Sequence, residues 1–203
     1  LGRSTTATVR ITGYAAFCGE EVGCLANPYR YVALRSGDVT LQAMRERNPD
    51  RLYRGAASLR LSQAIGDSTA LHGGYRGYLD SWRVNGHTWD LSVNQQAFKE
   101  QLMLTAEGRV ATHSATSFFR DDYAVSTGET LMMPEFRSLD RELSGLFTGS
   151  VGGRVGWTFY SVGKLATVGI NGRLSHHWFL YPNFSELPER NAWLGGGGLD
   201  GTF

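Results

Sequence analysis

The side chains in this sequence that could carry out hydrolytic chemistry are histidines close to serines. His113 precedes Ser114, His72 lies in the run TALHGG, and Ser175 opens the run SHH at 175–177. A serine nucleophile needs a histidine as its base and a carboxylate that orients the histidine. Because nothing in the sequence brings these three groups together, we interpret the five histidines as packed side chains. We expect neither enzyme activity nor a cofactor.

Two cysteines, Cys18 and Cys24, bound a short polar loop with the sequence CGEEVGC. They are either two free thiols or a disulfide, and in an exported protein the disulfide is favoured. A zinc ion would need more ligands than the neighbouring residues offer. We therefore expect a Cys18–Cys24 disulfide and no metal site.

The basic side chains are almost all arginines, because Lys99 and Lys164 are the only lysines among 20 basic residues. Arginine suits enclosed, hydrogen-bonded ion pairs, whereas the surface of a soluble protein normally uses lysine freely. The formal net charge is only +1, which gives no indication of a nucleic-acid partner. The charged residues therefore indicate an enclosed polar surface.

Strands must position these side chains, because helical periodicity is almost absent from the sequence. Apolar or small residues alternate with polar ones over eight segments, and a period of two residues is that of a strand with two different environments. The segments are long enough to cross a bilayer when tilted. The 203 residues correspond to a single domain, 1–203. The predicted strands are 5–17, 52–65, 69–82, 87–98, 101–114, 139–159, 164–180 and 191–203.

Separating each segment by parity divides charged side chains from uncharged ones. In 69–82, Leu71 and Leu79 alternate with Arg76 and Asp80. Positive and negative charges on the polar faces nearly balance, which suits a narrow barrel whose interior is filled by paired side chains. The same lining would favour anions in the water-filled pore of a wider barrel. We predict that the interior is lined by Arg10, Arg54, Arg60, Arg76, Asp80, Asp90, Glu107, Arg109, Glu142, Arg154 and Arg173.

Two architectures fit this alternation. A soluble sandwich or lipocalin-like barrel turns its apolar face inward, whereas a membrane barrel turns that face to lipid. If consecutive strands are antiparallel, the long connections 18–51, 115–138 and 181–190 fall at one end, and the connections at the other end are tight turns. Long external loops with short periplasmic turns are typical of outer-membrane barrels, so the connections favour the membrane barrel.

Aromatic residues and the C-terminal segment favour the same architecture. Aromatic rings at strand ends are typical of membrane interfaces, and the rings concerned are those of Trp82, Trp89, Trp157, Tyr160, Trp178, Tyr181 and Trp193. The last segment, NAWLGGGGLDGTF, places Trp193, Leu199 and Phe203 at positions of the same parity. We interpret these three residues as the insertion signal that the barrel-insertion machinery of the outer membrane reads.

Part of the chain resembles a known family. The stretches YRGYLDSWRVNGHTWDLSVNQQ and RVATHSATSFFRDDY, with NPYRYVALR and ERNPDR in the first long loop, are similar to an uncharacterised, domain-of-unknown-function family of bacterial outer-membrane β-barrel proteins. The resemblance covers most of residues 27–123, and the matching positions are Arg76, Tyr78, Asp80, Ser81, Trp82, His87 and Thr88. It implies further strands before this part, so the eight strands either close alone or form the C-terminal part of a larger barrel.

These observations predict an all-β protein, an antiparallel transmembrane β-barrel with eight strands in this chain, in the bacterial outer membrane. The leading function is a membrane-embedded scaffold or narrow channel, the alternative is a porin-like diffusion channel within a wider barrel, and a barrel enzyme ranks third. The expected partners are outer-membrane lipid, the insertion machinery and proteins that contact loops 18–51 and 115–138. The sequence begins without Met and is strand-like from residue 5, so we expect a mature form or a portion of something longer.

Overall fold

The computed structural model describes residues 4–18, 25–27, 29–99, 101–124, 134–162 and 166–202, and nearly all of its regular structure is β. A single turn of 3-10 helix, Arg141–Leu143, is the exception among these residues. The strands are β1 (Thr5–Phe17), β2 (Tyr31–Ser36), β3 (Val39–Arg45), β4 (Arg51–Ile65), β5 (Thr69–Asp80), β6 (Asn85–Ala97), β7 (Leu102–His113), β8 (Tyr123–Ala124), β9 (Leu146–Val162), β10 (Ala166–Leu180) and β11 (Glu189–Thr202).

The eight long strands form one antiparallel sheet in the order β1-β4-β5-β6-β7-β9-β10-β11. Each long strand pairs with the next one along the chain, so the predicted set of eight strands and their antiparallel order are confirmed. The edge strands β1 and β11 do not pair with each other among the described residues. The sheet is therefore open and does not close into a barrel.

Two corrections to the predicted strands lie in connections. The strand predicted from residue 139 begins at Leu146, because Asp140 caps the short helix and accepts a hydrogen bond from the backbone N–H of Glu142 at 3.0 Å. Glu142 consequently lies in this helix and not on a strand. The predicted loop 18–51 contains the β2–β3 hairpin, on which β8 pairs parallel to β2. The two strands of this hairpin have only six and seven residues, which is too few to give a clear alternating pattern.

The two faces of the large sheet differ in shape as well as in polarity. The polar side chains of Arg60 and Arg173 line one cavity, although β4 is second and β10 seventh in the sheet order. The sheet must therefore curve around its polar face, which we call the polar groove. On the opposite, outer face, the described long strands carry formal charge only at Arg51 and Glu189, each at a strand end.

Buried apolar side chains gather at one end of the sheet, where the three long connections meet. We call the described parts of 18–50, 114–145 and 181–188, with the turn 81–84, the loop cap. Two small cores lie within the cap and the strand ends that it covers. The buried apolar residues are Val32, Leu34, Leu52, Trp82, Phe118, Phe119, Tyr123 and Tyr181. The middle of the sheet has no comparable core among the described residues.

Within the described part of the chain, no helix has the length and apolar character that a membrane-crossing helix requires.

Candidate functional site

The loop cap is a folded unit because its first two connections are joined by polar contacts. The Arg30 guanidinium lies 2.5 Å from the Asp140 carboxylate. The Tyr123 hydroxyl donates to the carbonyl of Phe118 at 3.1 Å and accepts from the backbone N–H of Ser138 at 3.0 Å. Ser138 is fully buried. The ion pair holds the first connection against the second, and the Tyr123 hydrogen bonds hold the second connection together.

Arg137 uses its side chain as a backbone clamp inside the cap. Its Nε donates to the carbonyl of Arg45 at 2.9 Å, and its Nη1 donates to the carbonyl of Pro134 at 2.8 Å. Its backbone also exchanges hydrogen bonds with Arg47. Burial and the nearby Arg47 guanidinium lower the pKa of Arg137. This arginine therefore stabilises the cap.

Glu46 is the buried acid of the cap. Its side chain accepts a hydrogen bond from the Ser138 hydroxyl, while its second carboxylate oxygen, Oε2, has no hydrogen-bond partner within the described residues. Burial raises the pKa of Glu46, the Ser138 hydroxyl lowers it, and the Asp140 carboxylate raises it further. The protonated acid is therefore favoured in the folded cap more than in the unfolded chain.

The cap covers one end of the polar groove. A cavity of about 400 Å³ lies between them, and its lining includes Arg54, Arg76 and the helical Glu142. Asp80 belongs to the same cavity, but its carboxylate is occupied. It accepts hydrogen bonds from the Tyr78 hydroxyl at 2.8 Å and from the backbone N–H of Trp82 at 2.9 Å. The predicted lining residue Asp80 thus organises the turn that follows β5.

Deeper in the groove, four arginines meet around one cavity of about 650 Å³. We call Arg10, Arg60, Arg76 and Arg109 the arginine cluster; they come from β1, β4, β5 and β7. Asp90 is the acidic residue on the same lining. None of the ion pairs within the described residues involves any of the four arginines. The sequence identified these residues individually, and the register of four strands brings them together.

Beyond the arginine cluster, the groove continues into a cavity of about 820 Å³. Here Arg154 and Glu107 form an ion pair at 3.0 Å across β9 and β7, while Arg173 lines the same space. The Thr105 hydroxyl donates to the Asn94 side chain at 2.7 Å. All eleven predicted lining residues therefore border one of the three groove cavities. Their role as the lining of a closed lumen stays a prediction.

The chain matches the family described as "Protein of unknown function (DUF3570)" over residues 10–170. The chain belongs to this family. The prediction of an uncharacterised family is thereby confirmed, and the match extends well beyond the predicted 27–123. The description gives the family neither an activity nor a cellular location. Neither a curated protein nor a solved structure matches the chain.

The serine–histidine pairs of this DUF3570 member provide only part of a hydrolytic site. The Ser62 hydroxyl lies 2.8 Å from Nδ1 of His72, and the Ser175 hydroxyl lies 3.0 Å from Nε2 of His177. His113 contacts the backbone carbonyl of Ser114. No ion pair joins a carboxylate to any of these histidines in the described residues. In the same ranges, no group of side chains is arranged to hold a metal ion.

The remaining predicted residues lie near the ends of the long strands. Trp193 and Leu199 are 68% and 81% exposed on the outer face of β11, whereas Phe203 lies outside the described residues. Cys18 directly follows β1, and Cys24 also lies outside the described residues. The insertion signal and the disulfide therefore stay predictions.

Proposed function

We propose that the chain forms part of the wall of a transmembrane β-barrel in the bacterial outer membrane, with the polar groove as a water-filled channel. The observation that supports this proposal is the outer face of the sheet. Its apolar side chains are exposed, and among the described residues it carries formal charge only at two strand ends. Lipid is the surroundings in which an exposed, uncharged band of this kind is stable.

Exposure along the outer face is extensive. Ile11 is 80% exposed, Leu91 56% and Val151 54%. Leaving such a side chain in water forfeits about 1.5–3 kcal/mol each relative to burial. The interaction with hydrocarbon chains would recover this free energy over the whole band, whereas the loop cap has two small buried cores of its own.

The curvature of the sheet argues against a soluble sandwich or lipocalin-like barrel. Such proteins fill their concave interior with apolar side chains. In this chain, the concave side carries Arg60, Asp90 and Arg173. The apolar residues lie on the convex side, where a soluble fold would expose polar ones.

The open edges favour a wide channel over a closed eight-stranded one. β1 and β11 each present an unpaired row of backbone groups, and such groups must be paired within a membrane. Further strands, from the same protein or from another chain, would complete the barrel. The arginine cluster without ion pairs also suits a hydrated interior better than one filled by paired charges.

A second function, that of a scaffold for partners, is favoured by the β2–β3 hairpin of the cap. Tyr29 is 89% exposed, Tyr31 57% and Val39 63%. These exposed rings and methyl groups lie on the first long connection, which the sequence analysis identified as a partner-binding loop. Exposed aromatic side chains of this kind are suited to a protein partner.

Membrane fractionation and conductance test the proposed function. We expect the full-length protein to sediment with outer membranes, to require detergent for extraction, and to give ohmic conductance in planar lipid bilayers. Recovery of a monodisperse protein in buffer without detergent would contradict membrane insertion. Detergent-dependent extraction without conductance would contradict the channel and leave the scaffold function.

A further inference from the structure

We propose that the arginine cluster is a binding site for phosphate-type oxyanions within the polar groove. The inference rests on the proposed function in one respect, namely that the groove is open to water. It goes beyond that function because it assigns a ligand class to four named side chains.

The sheet register supports a common site, because it places the four arginines on two neighbouring rows of one face. Arg10 lies opposite Ser58, and Ser58 lies opposite Arg76. On the adjacent row, two residues along each strand, Arg60 lies opposite Gly74, Gly74 opposite Asp90, and Asp90 opposite Arg109. Neighbouring strands are about 4.8 Å apart, so Arg60 and Arg76 on adjacent strands lie close together. The curvature of the sheet brings Arg10 and Arg109 to the border of the same cavity.

The charges that border the cavity also favour an anion. Four guanidinium groups and one carboxylate border the cavity of about 650 Å³. The neighbouring cavity of the same groove is different, because Arg154 there has Glu107 at 3.0 Å. One part of the groove therefore has a paired arginine, whereas the cluster has no ion pair among the residues that the structure describes. An anion from solution would supply the missing counter-charge.

The position of Asp90 keeps the centre of the cluster open. A Cβ atom on Gly74 would overlap the Asp90 carboxylate, so this carboxylate lies over the bare backbone of Gly74. The absence of a side chain at Gly74 lets Asp90 fold back along the sheet surface. Asp90 therefore reduces the positive potential of the cluster without forming an ion pair within 4.0 Å to Arg60 or Arg109.

Hydrogen-bonding groups determine the class of anion. The planar guanidinium fork matches two oxygens of a phosphate group, and hydroxyl groups of Thr8, Ser58 and Thr88 line the same cavity. A phosphate-type oxyanion can accept hydrogen bonds from guanidinium and hydroxyl donors together. Chloride carries one charge and has no pair of oxygens for the guanidinium group to bind, so the site should favour the oxyanion.

Calorimetric titration of pyrophosphate into the full-length protein in detergent, at low salt, tests the site. We expect saturable binding that weakens roughly tenfold in Arg76→Gln and in Arg109→Gln, corresponding to about 1.4 kcal/mol for each. Arg173→Gln is the matched control, because it removes the same charge from the same face outside the cluster. It should change the affinity less than twofold.

Asp90→Asn should change the affinity for pyrophosphate in the opposite direction. Misfolding of a variant would not produce such a gain in affinity. The substitution removes the one negative charge of the cavity, so pyrophosphate should bind several-fold more tightly. A structural role of Asp90 alone would leave binding unchanged or weaken it, and either result would overturn the proposal. Equal losses in Arg173→Gln and Arg76→Gln would also overturn it, because they would indicate general attraction by the groove.

Comparison of probes separates free phosphate from a phosphorylated solute. Binding of inorganic phosphate as tightly as glycerol 3-phosphate supports a site for the free ion, and preference for the ester supports a site for phosphorylated solutes. Binding of acetate or chloride with equal affinity contradicts both. Planar-bilayer conductance is measured on the same preparations. Arginine-dependent binding without conductance would contradict the channel alone, whereas conductance without binding would contradict the site alone.

Discussion

The loop cap and the eight-stranded sheet use apolar side chains in opposite ways. In the cap, Val32 is 1% exposed and Trp82 is 6% exposed. In the sheet, Ile11 is 80% exposed and Leu199 is 81% exposed. The cap therefore contains its own core, as a soluble domain does, whereas the sheet presents its apolar residues to its surroundings. The cap thus shields its core from water by itself, whereas the sheet depends on its surroundings to cover its apolar side chains.

The two regions also differ in how they satisfy their polar groups. The sheet pairs its backbone in continuous ladders from β1 to β11. The cap has little regular structure and uses side chains instead, as when Arg137 donates to the backbone carbonyls of Arg45 and Pro134. Strand pairing tolerates changes of side chain that keep the polarity of each face. The cap depends on individual residues, so single substitutions should affect it more locally.

The largest expected effect is on the cap core. Trp82 packs edge to face on Phe118 with ring centroids 5.2 Å apart, and its indole N–H donates to the carbonyl of Arg51 at 2.9 Å. Trp82→Ala should cost about 3–5 kcal/mol and expose the cap to limited proteolysis. Trp89→Ala, which removes an exposed ring of the outer face, is the control and should leave cap cleavage unchanged. Equal cleavage in both variants would contradict a separate cap core.

A charge on the outer face should have the next largest effect. Leu91 lies on that face, and Ser92 points into the groove. Leu91→Arg should cost about 2–4 kcal/mol in lipid if the position lies near the bilayer midplane, whereas Ser92→Arg should cost far less. Urea unfolding in lipid vesicles measures both. A larger loss for Ser92→Arg would reverse the assignment of the two faces.

The pH dependence of the cap should follow Glu46. Burial raises the pKa of Glu46 in the folded state, so Glu46 binds a proton more readily in the folded cap than in the unfolded chain. The cap therefore loses stability as the pH rises above 4.5, the ordinary pKa of a glutamate. Glu46→Gln should flatten this dependence and protect the cap at neutral pH, as measured by proteolysis from pH 4 to 8. Glu135→Gln, at an exposed acid of the same cap, should retain the dependence of the unmodified protein. A flat profile for the unmodified protein would contradict the role of Glu46.

The smallest effect is expected at the turns on the far side of the sheet from the cap. Phe98 has a φ of 51° and is 74% exposed. A bulky residue is disfavoured in this left-handed region, which Asn adopts more easily. Phe98→Asn should therefore stabilise the sheet by about 0.5–1 kcal/mol without altering cap proteolysis. Destabilisation in urea would show that the exposed ring of Phe98 contributes a contact of its own.

The sequence predicted the sheet better than the cap for a physical reason. Alternation over 12 or more residues repeats the same information many times, so β4, predicted as 52–65, was found at Arg51–Ile65. The cap has no repeat. Trp82 and Tyr181 were interpreted as interface aromatics because they stand at strand ends, yet both are buried in the cap. Their burial depends on contacts between distant connections, which no local pattern records.

In the arginine cluster, too, the sequence predicted one property and the fold decided another. Parity alone assigned Arg10, Arg60, Arg76 and Arg109 to the polar faces of their strands. Whether they pair with acids depends on register, because a shift along one strand would bring different residues side by side. The pairing of Glu107 with Arg154, and the absence of such a pair in the cluster, could not be read from spacing.

The residue pattern alone was enough to predict the long strands, the charged side of each strand, and the meeting of the long connections at one end. These properties are local, since they follow from a two-residue period and from the antiparallel order of successive strands. The openness of the sheet, its curvature around the polar face, and the folding of the connections into a cap with its own core became visible only in the folded chain. Those properties depend on strand twist, register and contacts between residues far apart in the chain. Several distant side chains determine them together, so no local pattern predicts them.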